Sequence, residues 1–224
     1  MNENIVTAAL AVITVSYLLG CFTTGYYLVR LLTGQDIRNT SSGNVGSRNV
    51  GRLLGARGFV ITLVGDAGKG LLAVWLARQL DPAPWLASAA LLAVVVGHIW
   101  PLQLRFRGGK GFATFAGGMI LLKPLLLLSG LALCAVLYPC VRRTTKTGLI
   151  ALASSPLFLA LERIRGRSAL LSSETGIYCL LVLLLLYAHR SNIRKEFFGS
   201  SGDNSGISGQ KIIENKLDKQ VDSA

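Results

Sequence analysis

Three short polar segments carry most of the residues in this chain that could do chemistry. The first reads Ser41-Ser42-Gly43-Asn44-Val45-Gly46-Ser47-Arg48-Asn49-Val50-Gly51-Arg52. Glycines let a backbone turn tightly and approach a ligand, and successive free N–H groups make a nest for an anion. Ser42, Asn44, Arg48, Asn49 and Arg52 add side-chain donors beside Gly43 and Gly46. Such a set suits the holding of a phosphate group, whereas a plain polar turn needs no arginines.

The second segment runs from Gly97-His98-Ile99-Trp100-Pro101 to Arg105-Phe106-Arg107-Gly108-Gly109-Lys110-Gly111-Phe112-Ala113-Thr114. The Gly108–Gly111 stretch is expected to open a helix, whose unpaired first N–H groups and dipole attract phosphate, with Lys110 as an added point charge. It is not a P-loop, because Gly111 stands where the magnesium-binding hydroxyl should be, and Gly68-Lys69-Gly70 fails the same test. A nucleoside triphosphatase is thereby disfavoured. The third segment, His189-Arg190-Ser191-Asn192-Ile193-Arg194-Lys195, sets His189 and Asn192 on one helical face. A basic stop after a membrane span would look similar.

Three more ionisable residues fall inside apolar stretches. Asp66 and Lys69 are one turn apart, and either pair with each other or line a polar interior. His98, alone on an apolar run, reads first as a hydrogen-bonded structural histidine. With two histidines in separate motifs and few carboxylates, no metal and no cofactor is expected. Cys21, Cys134, Cys140 and Cys179 lie in or beside apolar segments without ligand spacing and read as small hydrophobes.

The elements that must position these segments are apolar. Of 224 residues 51% are hydrophobic and only 15% charged, with a mean hydropathy of +0.52, too apolar for a soluble domain of this size. The start, MNEN, lacks the basic region of a secretory signal, so the first apolar run is expected to remain as a span. Candidate spans are 4–29, 59–77, 82–104, 112–122, 124–141, 147–161 and 168–188, with Lys123-Pro124 dividing the fourth from the fifth. The fold class is an all-α integral membrane protein of about seven transmembrane helices, some short or broken, with glycine-rich polar loops on the cytoplasmic side. Residues 1–199 form the membrane domain, and 200–224 a polar tail expected to be disordered and cytoplasmic.

Loop charge sets the orientation. With the N-terminus outside and the C-terminus inside, seventeen of the 23 Lys and Arg residues fall on the inside. The Arg163, Arg165 and Arg167 cluster opposes that bias and suggests an external lipid-phosphate contact. The net charge of +12 sits in short loops between spans, which points to headgroups or anionic substrates and away from nucleic acid.

In order along the chain, S-G-N-x-G-x-x-N-x-x-R, D-x-x-K-G, G-H-x-x-P, F-x-G-G-K-G-x-A-T and H-x-x-N-I resemble the bacterial acyl-phosphate-dependent glycerol-3-phosphate acyltransferase family. The resemblance implies a seven-span enzyme of the bacterial inner membrane. It would move a fatty acyl group from acyl phosphate to glycerol 3-phosphate, yielding lysophosphatidic acid and phosphate in phospholipid synthesis, and a monomer is expected. By position it carries over Ser42, Asn44, Gly46, Asn49 and Arg52, the pair Asp66 and Lys69, His98, Lys110, His189 and Asn192, with Thr145 near a family serine. Two departures stand out. Ser47-Arg48 replaces a usual Ala-Thr, adding a cation, and Thr145 replaces serine.

For that reaction Ser42, His189, Asn192 and Lys110 are the candidate catalytic residues. The candidate phosphate contacts are Gly43, Asn44, Gly46, Arg48, Asn49, Arg52, Gly108, Gly109, Lys110, Gly111, Thr114 and Thr145, supported by Asp66, Lys69 and His98. Neither histidine has an aspartate five residues on, so the His-x-x-x-x-Asp dyad of other glycerolipid acyltransferases is absent. A phosphate oxygen of the donor is the expected proton acceptor, with His189 as the rival base. The alternative is a membrane transporter for an organic phosphate, which should show paired half-repeats. Only Gly68-Lys69-Gly70 and Gly109-Lys110-Gly111 echo one another.

Overall fold

The computed structural model describes residues 3–80, 84–166 and 169–199. All regular elements among them are helical. In order they are α1 (Glu3–Cys21), α2 (Thr24–Thr33), a 3-10 turn (Ile37–Asn39), α3 (Ser47–Leu80), α4 (Pro84–Ile99) and a second 3-10 turn (Leu102–Leu104). Then follow α5 (Phe112–Leu122), α6 (Pro124–Val141), α7 (Thr144–Arg165), α8 (Ser173–Ala188) and α9 (Arg190–Phe197). Five segments are long and apolar enough to cross a membrane: Val6–Thr33, Ser47–Leu80, Trp85–Leu104, Pro124–Val141 and Thr144–Arg165. Ser173–Ala188 with Arg190–Phe197, bent by 65°, makes a sixth. The short apolar α5 stands where the fourth of the seven helices was expected, and at 11 residues it rises only about 16 Å, so five or six segments have the length to cross.

α5 is short because it is an inner element. It packs most heavily on α3, where Gly70 and Gly117 remove the side chains that would otherwise strike Thr114 O and Ala67 O at 1.9 Å. Without a hydrophobic force between helices in lipid, such close backbone contact is a main source of association. α1 and α4 form the other large contact. Leu91, Val94, Met119, Leu181 and Leu185 fill the centre, while Leu10, Val64, Leu125, Val136, Leu157 and Leu183 face outward as a lipid-contacting belt. The expected break at Lys123-Pro124 is present, with Lys123 out of the helical region at φ −146°, ψ 70° and Pro124 opening α6.

Two spans differ from expectation. The first was expected to run unbroken to Val29, yet α1 stops at Cys21 and α2 starts at Thr24. The buried Asp66–Lys69 pair explains the break. Lys69 Nζ donates to the carbonyls of Gly20 (3.1 Å) and Phe22 (2.8 Å) at the end of α1, and Asp66 Oδ1 accepts from Thr24 N (3.3 Å) at the start of α2. A cation at a helix C-terminus and an anion at an N-terminus satisfy the freed backbone groups and complement both dipoles.

The second expected span was to begin at Phe59, but the helix begins at Ser47 and is interrupted at Gly55 (φ 70°, ψ −165°), a backbone conformation open essentially to glycine alone. Residues 47–54 therefore form a short helix of their own. Its Val50 drops into a small separate core with Val29, Ile37 and Val45. The arginines on its other side hide that helical pattern in the sequence.

Candidate functional site

All three motifs meet at one end of the bundle, together with the α6–α7 junction. The loop 41–46 and the start of α3 come from one side, the loop 105–111 and the start of α5 from another. Thr145 lies at the start of α7, and His189 and Asn192 at the α8–α9 bend. Direct contacts join them. Lys110 Nζ donates to Asn192 Oδ1 at 2.6 Å, and the Arg48 guanidinium donates to the Thr145 hydroxyl. Arg52 Nη1 reaches Ser41 Oγ at 3.4 Å, beside Ser42. Arg143 meets Glu196 of α9 at 3.3 Å. Two of the residues that depart from the family pattern, Arg48 and Thr145, thus touch each other.

Electrostatically this end is unbalanced. Among the described residues no carboxylate lies within 4.0 Å of Arg48, Arg52 or Lys110. Burial, then the neighbouring charges of Lys195 and Arg48, hold the Lys110 ammonium below the ordinary lysine range. His189, at the bend beyond the span, gives its Nδ1–H to Leu185 O at 2.8 Å, which leaves the lone pair on Nε2. Burial pushes its pKa down, the Leu185 bond opposes that, and the charge of Lys110 adds to the lowering. Its ring stands edge-on to Phe112, with centroids 6.2 Å apart.

Of the expected phosphate contacts, Gly43, Gly108, Gly109 and Asn49 have their donors bonded elsewhere, Gly43 N–H to Thr40 O at 3.0 Å, and Thr114 is buried. The N–H of Gly108 donates to Ile99 O and that of Gly109 to His98 O, both at 3.0 Å, so these amides cap α4 and do not face the site. Gly109 is glycine for contact: a Cβ there would sit 2.1 Å from His98 Nε2. Asn49 is buried, donating to Ile37 O (3.3 Å) and Thr40 O (3.1 Å) and accepting from Ser42 N (3.3 Å), which spends the whole amide on pinning the first loop. Thr114 is fully buried against α3. Gly111, in contrast, takes φ 78° and forms the N-cap of α5, whose first-turn amides have no partner within the helix.

Asp66, Lys69 and His98 lie beneath this surface as one buried network. Lys69 Nζ is 3.1 Å from Asp66 Oδ1 and 2.7 Å from His98 Nδ1, which accepts from the ammonium. Since His98 in turn underlies Gly109, the network fixes the loop that carries Lys110. Sequence reasoning missed three further positioning residues. Asp36 grips Arg38, whose Nη1 donates to Leu104 O (2.9 Å), and Gln103 donates to Cys21 O (2.6 Å), so the first and second loops are tied together. Pairs separated by 66 and 82 residues leave no local signal.

At the opposite end, Arg163 pairs with Glu174, and Lys123 lies 3.5 Å from Glu174 and 3.9 Å from Glu162. An ion-pair cluster joining the α5–α6 junction to α7 and α8 accounts for Arg163 without a lipid phosphate. Arg167 and the tail 200–224 lie outside the described residues.

The chain is similar to known proteins over most of its length. A family model described as glycerol-3-phosphate acyltransferase matches residues 10–199. A glycerol-3-phosphate acyltransferase 1 of Desulfitobacterium hafniense (strain Y51) is 41% identical over 186 residues, 83% of this chain and 89% of the relative. A glycerol-3-phosphate acyltransferase of Geobacter sulfurreducens is 39% identical over 196 residues, 87% and 94% of the two chains. Among solved structures, the glycerol 3-phosphate form of PlsY (YgiH), an integral membrane glycerol 3-phosphate acyltransferase, superposes with a TM-score of 0.75 at 31% identity, covering 85% of this chain and 92% of that one. Its lysophosphatidic acid form gives 0.71 at 28% identity over the same shares. With its apolar spans, its cationic end and these relatives agreeing, the chain belongs to the glycerol-3-phosphate acyltransferase family.

Proposed function

We propose that this protein transfers a fatty acyl group from an acyl phosphate to glycerol 3-phosphate at the cytoplasmic face of a bacterial inner membrane. The observation that carries the reading is the cluster of Arg48, Arg52 and Lys110, free of carboxylate partners among the described residues, at one end of an apolar bundle. Two phosphorylated substrates must approach each other there, and cations with fixed donors offset their repulsion.

In the reaction the glycerol hydroxyl oxygen bonds to the acyl carbon and the acyl C–O bond to phosphate breaks. The hydroxyl proton passes to a phosphate oxygen, so the leaving group departs as hydrogen phosphate. Lys110, steered by Asn192, and Arg52 neutralise the phosphate oxygens, while Ser42, Asn44, Gly46, Gly111 and Thr145 supply the remaining donors; the Gly43 N–H is bonded to Thr40 O at 3.0 Å and shapes the loop instead. His189, with Nε2 open, orients the acceptor hydroxyl; as a general base it is the rival path. The acyl chain enters from the bilayer along the helices, and glycerol 3-phosphate from water. All these groups come from one copy of the chain, so a monomer suffices.

Purified protein given glycerol 3-phosphate and either acyl phosphate or an acyl thioester should form lysophosphatidic acid only with acyl phosphate. Equal rates from the thioester would overturn the choice of donor.

A further inference from the structure

Arg48 stands at the seam of two cavities. One, of about 320 Å³, opens at the α3 kink and is lined by Arg48, Gly51, Arg52, Gly55, Ala56 and Phe59. It is amphiphilic: two guanidiniums at its head, Phe59 and Ala56 at its base. From that base α3 continues with Val60, Leu63 and Val64 exposed toward lipid. The other, of about 330 Å³, is polar, with Arg142, Arg143, Thr145 and Glu196 in its wall. Its Arg143 is already paired with Glu196, so Arg48 and Arg142 are the cations left to meet an anion there. Arg48 is the residue common to both walls, and its guanidinium spans from the start of α3 to Thr145 at the start of α7.

The shapes match the two substrates in kind. A single-chain acyl phosphate needs cations above an apolar ramp open to the membrane, which the first cavity offers. A small, fully polar phosphate ester needs a water-facing basic pocket, which the second offers. A planar guanidinium with five donors can serve two phosphates at once, as a lysine ammonium cannot do with fixed geometry. We infer that Arg48 is a specificity-determining residue of this chain, the phosphate ligand shared by the acyl donor and glycerol 3-phosphate, which joins the two cavities into one two-phosphate site. This deepens the acyl-transfer reading and rests on it.

Binding separates the two claims, because it can be read without turnover. Calorimetry on the purified full chain would use dodecyl phosphate as the donor probe and glycerol 3-phosphate as the acceptor. Arg48→Thr should weaken both ligands roughly tenfold, the size expected for one charge-assisted contact. Arg48→Lys, which keeps the charge and loses the fork, should fall between wild type and Arg48→Thr for both. Ala56→Trp, which fills the first cavity, should weaken dodecyl phosphate alone. The inference is overturned if Arg48→Thr weakens only one ligand or neither, or if Arg48→Lys binds both as wild type does. Arg48 is exposed at the second residue of its helix, so unfolding is not expected, and the Lys variant decides the matter if Arg48→Thr does not fold. Intact binding of both ligands with no acyl transfer in the wild type would instead fault the reaction assigned above.

Discussion

Lys110 is the residue on which the proposed chemistry leans most, and its environment makes a signed prediction. Burial and neighbouring cations lower its pKa, so it loses its proton at a lower pH than an ordinary lysine does. Neutralising the transferred phosphate needs the protonated form, so kcat/KM should decline as pH rises through that lowered value. Lys110→Arg, which stays charged, should move the alkaline limb upward, while Lys110→Met should cut kcat/KM by about 100-fold or more. A pH profile of kcat/KM with an unmoved limb in the arginine variant would contradict the assignment. For His189, with Nδ1 tied to Leu185 and Nε2 open, His189→Ala should keep a measurable kcat if the substrate phosphate takes the proton. Trace turnover rescued by added imidazole would favour histidine as the base instead. At this scale the sequence was informative about residue types but not about their commitments. Asn49 and Gly109 sit within the right motifs, yet their polar groups hold backbone, and only three-dimensional neighbours reveal that.

The elements explain why those commitments exist. Asp66 and Lys69 end one helix and start the next, and through His98 they support the Gly109 turn. Removing one partner leaves a buried charge unpaired, so Asp66→Ala or Lys69→Ala should destabilise the fold by about 3–5 kcal/mol, read as lost thermal stability in detergent. A variant as stable as wild type and merely slower would assign the pair a direct catalytic role. Gly109→Ala should likewise lower stability as well as activity, because its methyl would displace the His98 ring. Helix positions were legible from apolar runs and from Lys123-Pro124. The breaks at Phe22–Thr23 and Gly55 were not, since the first is caused by residues more than forty positions away. At the second, a lone glycine followed by a long apolar run carries no mark of its backbone angle.

For the whole molecule, the cationic motifs collect at one end and the Lys123–Glu174–Arg163 cluster at the other, the division that loop charge alone had anticipated. A tag on the N-terminus should therefore be reached by protease from outside intact cells, and a C-terminal tag only after lysis. The reverse pattern would invert the site's side. On the proposed reading, catalysis at the bilayer edge follows from the same polarity: apolar sides would admit an acyl chain, and one basic end would receive both phosphates. The most direct measurement of this account follows phosphate release and lysophosphatidic acid formation together, in purified protein supplied with acyl phosphate and glycerol 3-phosphate. One phosphate should be released per lysophosphatidic acid formed, with neither appearing when glycerol 3-phosphate is omitted. Phosphate release without lysophosphatidic acid, or no reaction alongside glycerol 3-phosphate uptake into sealed vesicles, would contradict it.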